Sequence, residues 1–145
     1  MIERVYLDTS ALVKRYLEEE GSEKIDSLFS ESYRKSVVLV MSQWNIGEAA
    51  VVFDKYQRRK VIRDAHQPFE SLYNEVSLLA GLGQLEIVPV LGEIIAASIP
   101  LVLAYHVYLA DALQIETCRQ QGCAAFVAFD DKLNEVALHE GMKVA

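Results

Sequence analysis

Hydrophobic positions alternate along this chain between two patterns. Short, nearly uninterrupted apolar runs occur at Val5-Tyr6-Leu7, Val37 to Met41, Leu85 to Val90 and Phe126 to Phe129. Runs this short and this apolar suit strands buried on both faces. Longer stretches with apolar residues at helical spacing lie between them. The pattern predicts a strand over about 3–7, a helix capped by Thr9 or Ser10 that continues to about Leu17, and a second helix over about 22–32 beyond Gly21. Ser42 is a suitable cap for the helix after the second strand, which runs on into a basic segment. A further helix is expected over about 65–82, stopped near Gly81 and Gly83. The apolar stretch from Glu93 to Tyr105 should be helical and should kink or break at Pro100. A helix ending near Gly122, the strand after it, a helix from Asp130 to His139 and an edge strand at Lys143-Val144 complete the order.

Strands that alternate with helices and are too apolar for a one-sided sheet predict an α/β fold, a three-layer α/β/α sandwich with a central parallel sheet of four or five strands. The length of 145 residues fits one domain over the whole chain, 1–145. A composition of 52% hydrophobic and 24% charged residues with three prolines excludes a disordered chain. Residues 94–110 are almost uncharged but short for a membrane span, and Ser98, Pro100 and His106 interrupt them. A buried helix pair is expected there rather than a transmembrane segment. No targeting segment precedes the first strand-like run, so a cytoplasmic protein is expected. Cys118 and Cys123 have no second ligand pair to complete a zinc site and read as reduced thiols near a helix end.

Four acids stand out against this background because each interrupts or closes a segment of core material. Asp8 ends the first apolar run and Asp130 follows the last; Glu48 lies in Trp44-Asn45-Ile46-Gly47-Glu48-Ala49-Ala50 and Asp111 in Tyr108-Leu109-Ala110-Asp111-Ala112-Leu113. On a helix, the three- and four-residue neighbours of Glu48 include Trp44, Asn45, Val51 and Val52, and those of Asp111 include Val107, Tyr108, Gln114 and Ile115. Neither acid has a basic partner within that reach. A carboxylate in low dielectric must be paired, protonated or bound to a metal. In a parallel sheet, function gathers at the carboxyl ends of the strands, which is where Asp8 and Asp130 fall and where Glu48 and Asp111 can join them.

The net charge of −7 disfavours nucleic-acid binding through a whole-molecule field, but charge can be local. Lys55, Arg58, Arg59, Lys60 and Arg63 cluster in one segment, and Lys14 and Arg15 follow the first acid closely. These residues read either as solvated helix surface or as a phosphate-contacting rim around an acidic centre. His66, His106 and His139 have no mutual spacing that makes a catalytic or metal cluster.

Together, the amino-terminal Tyr6-Leu7-Asp8-Thr9-Ser10-Ala11-Leu12-Val13-Lys14, Glu48 in an Ala-rich helix after the second strand, Asp111-Ala112-Leu113, and Phe126 to Asp131 resemble a PIN domain. Length and motif wording are most similar to VapC-type toxins of toxin-antitoxin pairs. The resemblance implies a Mg²⁺- or Mn²⁺-dependent endoribonuclease, with Asp8, Glu48 and Asp111 as the metal-holding acids and Asp130 as a more variable fourth acid. It also implies that Ser10 helps to organise Asp8, and that the partners are an RNA substrate, a cognate antitoxin and a second copy in a homodimer. Two residues before the fourth acid the family often has Ser or Thr, and this chain has Ala128. Asp131 supplies a neighbouring acid, and either Asp130 or Asp131 can be the one that faces inward.

Independently of the resemblance, phosphodiester hydrolysis needs a nucleophile at neutral pH, charge neutralisation at phosphorus and a stabilised leaving alkoxide, and Mg²⁺ held by carboxylates can serve all three needs. Two other readings remain open. One is a PIN-like module that binds RNA or protein without cutting, which Ala128 favours. The other is an aspartyl phosphatase, against which Ser10 stands where a second Asp is wanted.

Overall fold

The computed structural model describes residues 2–145. Four strands, β1 (Glu3–Leu7), β2 (Val37–Ser42), β3 (Leu85–Val88) and β4 (Ala125–Val127), form one parallel sheet in the order β3-β2-β1-β4. The expected edge strand at Lys143-Val144 reduces to a single parallel bridge between Phe126 and Val144. β3 stops at Val88, one residue earlier than Pro89, which has no N–H to give to a ladder.

Among the described residues seven helices cover the sheet: α1 (Thr9–Leu12), α2 (Ser22–Tyr33), α3 (Gln43–Arg58), α4 (His66–Gly81), α5 (Gly92–Tyr105), α6 (Leu109–Gln120) and α7 (Asp131–His139). Alternation along each strand assigns the two faces. Val5, Leu7, Leu39, Met41 and Val127 pack with Leu12 of α1, Phe29 of α2, Phe53 of α3 and Leu72 of α4. Tyr6, Val40, Val88 and Phe126 pack on the opposite side with Leu101 of α5, Ile115 of α6 and Val136 of α7. The result is the three-layer α/β/α sandwich.

Three local expectations are corrected. The first helix is shorter than expected, because α1 tightens after Leu12 into a 3₁₀ turn over Val13–Arg15. The tightened turn faces Arg15 and Tyr16 toward Glu75 of α4, which both of them hydrogen-bond. The cap of α1 is Asp8 rather than Thr9 or Ser10, since its carboxylate accepts the Ser10 N–H. α5 does not break at Pro100 but continues through it and ends at His106, which has φ +57°. Pro100 and Ala96, whose carbonyl loses its partner, both lie on the exposed side, where water can take up the missing bond.

Among the described residues no single helix is long and apolar enough to cross a membrane, and α5 and α6 form a pair bent by 117°. At the end of α6, Gly122 at φ +63° and the Cys123 N–H bonded to the Cys118 carbonyl at 3.2 Å make a Schellman cap. Both cysteines are free thiols, and this motif brings their side chains together.

Candidate active site

β2 and β3 lie to one side of β1 and β4 lies to the other, so the sheet changes winding direction between β1 and β4. A cleft forms at the carboxyl ends of strands at such a switch point. Asp8 occupies it directly after β1, tied to β4 by its own N–H bonded to the Val127 carbonyl at 3.0 Å. The residue is only 4% exposed. Ser10 holds the carboxylate twice, through its hydroxyl at 2.6 Å and its backbone N–H at 3.2 Å. The same hydroxyl accepts the Phe129 N–H at 2.9 Å.

Glu48 arrives on α3, whose first turn is closed by a capping box between Ser42 and Asn45. Its Oε1 accepts the Thr9 hydroxyl at 2.7 Å and the Gln114 side-chain amide at 3.2 Å. Asp111 stands in the first turn of α6. Asp8, Glu48 and Asp111 line one open cleft of about 420 Å³ together with Thr9, Ser10 and Gln114. Asp130 lies at the rim, exposed, where it caps α7 by accepting the Leu133 N–H at 3.0 Å. Asp131 is the exposed first residue of α7.

The electrostatics of this grouping follow from its lack of cations. Among the described residues none of the four acids takes part in an ion pair. Partial burial and the negative charges of Asp8, Asp130 and Glu48 push the Asp111 carboxyl up to about 6. Burial also raises Asp8, opposed by the Ser10 and Thr9 hydrogen bonds and reinforced by Glu48. No three His, Cys, Asp or Glu side chains among the described residues close to ligand distance of one point. The acids gather around the cleft without converging.

Of the basic residues near the first acid, Arg15 is not available as a rim cation. It pairs with Glu75 at 2.9 Å and with Asp26 at 2.9 Å. Lys14 pairs with Glu19 at 3.1 Å and sits 4.6 Å from the centre of the Phe129 ring. Lys55, Arg59, Lys60 and Arg63 are exposed at and beyond the carboxyl end of α3, and Arg58 pairs only with Asp54 of its own helix. Arg59 is eleven residues past Glu48, about 16 Å farther along the axis.

Sequence reasoning missed Thr9, Asn45 and Gln114 as parts of the site. A signal existed, because Asn45 precedes Glu48 by three residues and Gln114 follows Asp111 by three, which puts each on the face of its acid.

The sequence profile of the PIN domain family matches residues 5–138. The chain belongs to the PIN domain family. The acids described above therefore lie within the span of this PIN domain. Among solved structures, VapC20 of Mycobacterium tuberculosis, a sarcin-ricin loop cleaving toxin, is similar over 90% of this chain and 93% of its own, with TM-score 0.67 and 15% identity. PAE2754 of Pyrobaculum aerophilum is similar over 99% and 89%, with TM-score 0.66 and 15% identity. VapBC2 of Rickettsia felis, bound to a DNA fragment from its promoter, is similar over 98% and 97%, with TM-score 0.60 and 12% identity. At these identities the likeness concerns the PIN fold. Comparison with curated proteins finds no match.

Proposed function

We propose that this PIN domain protein is a Mg²⁺- or Mn²⁺-dependent endoribonuclease acting in the cytoplasm as the toxin half of a toxin-antitoxin pair. The observation that carries this reading is the gathering of Asp8, Glu48, Asp111 and Asp130 at the switch point with no ion pair to any of them among the described residues, strong enough to push Asp111 up to about 6. An all-oxygen donor set around an open cleft suits a hard divalent cation that keeps several waters. Asp8 and Asp111 would be the principal ligands, Glu48 would bind directly or through water, and Asp130 or Asp131 would hold a second ion or orient the attacking water. When bound, the metal supplies an activated water and neutralises charge at phosphorus.

The protein's own contribution is positional. Ser10 fixes one Asp8 oxygen, and Thr9 and Gln114 fix one oxygen of Glu48, so each acid would be held for a ligand at little further entropic cost. The exposed cations past the end of α3 would guide the RNA backbone toward the acids.

The antitoxin would cover the apolar cleft lined by Trp44, Val51 and Val90 beside Glu48 and so block the acids. A second copy would pack on α5, where Leu91, Ile95, Ile99 and Leu103 recur every four residues and are all exposed. Light scattering at micromolar concentration is expected to give a dimer, and a monomer alone counts against this arrangement.

A second reading, a non-cutting RNA- or protein-binding module, is favoured by Ala128, which offers no hydroxyl beside the fourth acid. Cleavage of a mixed RNA pool by partner-free protein in Mg²⁺, in Mn²⁺ and in EDTA separates the two. Metal-dependent cutting that Asp8→Asn abolishes supports the nuclease. Intact RNA under all conditions, with binding unaffected by Asp8→Asn, supports the module.

A further inference from the structure

Asn45 is fully buried and does not line the acid cleft, yet both groups to which its amide nitrogen donates, Thr9 and Gln114, in turn hydrogen-bond Glu48. The Ser42 backbone N–H, which can only donate, lies 2.7 Å from Asn45 Oδ1, and the Tyr6 hydroxyl lies 3.0 Å from the same oxygen. These contacts fix which end of the amide is oxygen. Nδ2 must then face the other way, and it donates to Thr9 Oγ1 at 2.8 Å and to Gln114 Oε1 at 2.5 Å.

Both recipients are oriented in turn. Gln114 presents its oxygen to Asn45, which leaves Nε2 as the end that donates to Glu48 Oε1. A reversed Gln114 would set donor against donor at Asn45 and acceptor against acceptor at Glu48. Thr9 Oγ1 accepts from Asn45, which leaves its proton for the same Glu48 oxygen. The direction of every bond descends from one backbone N–H in β2. Among the described residues Glu48 Oε2 makes no hydrogen bond.

We infer that Asn45 and Gln114 are positioning residues for Glu48: a buried amide pair that locks Oε1 and so reserves Oε2 for the metal or its water. The inference rests on the nuclease reading above. It gives Asn45 a double role, because the same side chain closes the cap of the helix that carries Glu48. It also explains why a neutral Gln, rather than a second acid, stands on α6 beside Asp111 and within reach of Glu48. An ionised carboxylate only accepts, whereas the Gln114 amide accepts from Asn45 and donates to Glu48 at once.

Gln114→Met tests this, since it keeps the volume and removes both bonds. Asn45→Asp is the second variant, because it retains the acceptor for Ser42 and Tyr6 and removes both donors. The readouts are Mn²⁺ affinity by calorimetry on folded protein, and kcat and KM for RNA. Both variants are expected to weaken Mn²⁺ binding and lower kcat by roughly tenfold or more, as losses among groups that support metal ligands do, with KM for RNA within about twofold of the original. A purely structural role predicts instead a lower melting temperature with Mn²⁺ affinity and kcat preserved, and that result overturns the inference. If the unmodified protein binds Mn²⁺ and cuts RNA while the variants match it, positioning fails alone. If the unmodified protein does neither, the nuclease reading fails and takes the inference with it.

Discussion

The Ser10 hydroxyl donates to Asp8 Oδ2 at 2.6 Å and at the same time accepts the Phe129 N–H at 2.9 Å. One oxygen atom thus ties the acid after β1 to the segment between β4 and α7, across the switch point. Ser10→Ala is expected to cost about 1 kcal/mol of stability through the unpaired Phe129 N–H and the lost bond to Asp8. It is also expected to weaken Mn²⁺ binding by roughly tenfold. A thermal melt and a Mn²⁺ titration measure the two effects, and an unchanged Mn²⁺ affinity would show that Ser10 serves the fold alone.

The elevated Asp111 and Asp8 carboxyls set the sign of one pH dependence. In the folded protein both hold their protons to higher pH than in the unfolded chain, so between about pH 4 and pH 6 folding takes up protons. Their contribution to stability is therefore fully favourable at low pH and is lost as pH rises through about 6, where Asp111 becomes charged. Asp111→Asn should flatten this part of the profile, and Mg²⁺ should restore stability at pH 7 in the unmodified protein only. Chemical denaturation of both proteins across pH 4–7, with and without Mg²⁺, gives the comparison. Equal slopes for the two in the absence of metal would contradict it.

Glu75 behaves oppositely. Burial alone would raise it, but the Arg15 guanidinium and the Tyr33 and Tyr16 hydroxyls outweigh burial and hold it below the usual carboxylate range. Its contribution is present above the unfolded value and is lost as pH falls through the depressed one. The carboxylate receives Arg15 through two nitrogens at 2.9 and 3.0 Å, fastening the turn after α1 to α4 while Asp26 of α2 takes the remaining arm. Glu75→Ala should cost about 2 kcal/mol, below the range for a fully buried pair because solvent reaches Arg15. A denaturation midpoint shifted by less than about 0.5 kcal/mol equivalent would reduce the clamp to surface decoration.

The exposed cations at the end of α3 predict a separation of binding from chemistry. Replacing Arg59 and Lys60 by Gln should weaken RNA binding uniformly across sequences, lower the salt slope by about one to two, and leave kcat nearly unchanged. Affinity measured over a series of salt concentrations checks this. A slope that does not move would place the RNA path elsewhere.

The strands and the acids were legible in the sequence for one physical reason: both break local pattern. Val37 to Met41 is too apolar for a surface strand, and Asp111 is an acid beside the core residues Ala112 and Leu113. The supporting polar groups were not legible in the same way. Asn45 meets Thr9 and Gln114 from 36 and 69 residues away, pairings that local spacing does not specify. Thr9 read as a helix cap because hydroxyls commonly take that role, and the cap went to Asp8. Arg15 read as a possible phosphate contact because its partners Asp26 and Glu75 are supplied by other helices. Pro100 read as a kink or a break; the break did not occur because its exposure makes the lost bond cheap, and that exposure depends on how α5 packs.

The most direct test of the central claim is the rate at which purified, partner-free protein cleaves single-stranded RNA in saturating Mn²⁺, compared with Asp111→Asn under the same conditions. The site described here predicts cleavage that EDTA abolishes and that the substitution reduces by at least about 100-fold, with RNA binding retained. Cleavage at equal rates by the two proteins, or cleavage indifferent to EDTA, would contradict it.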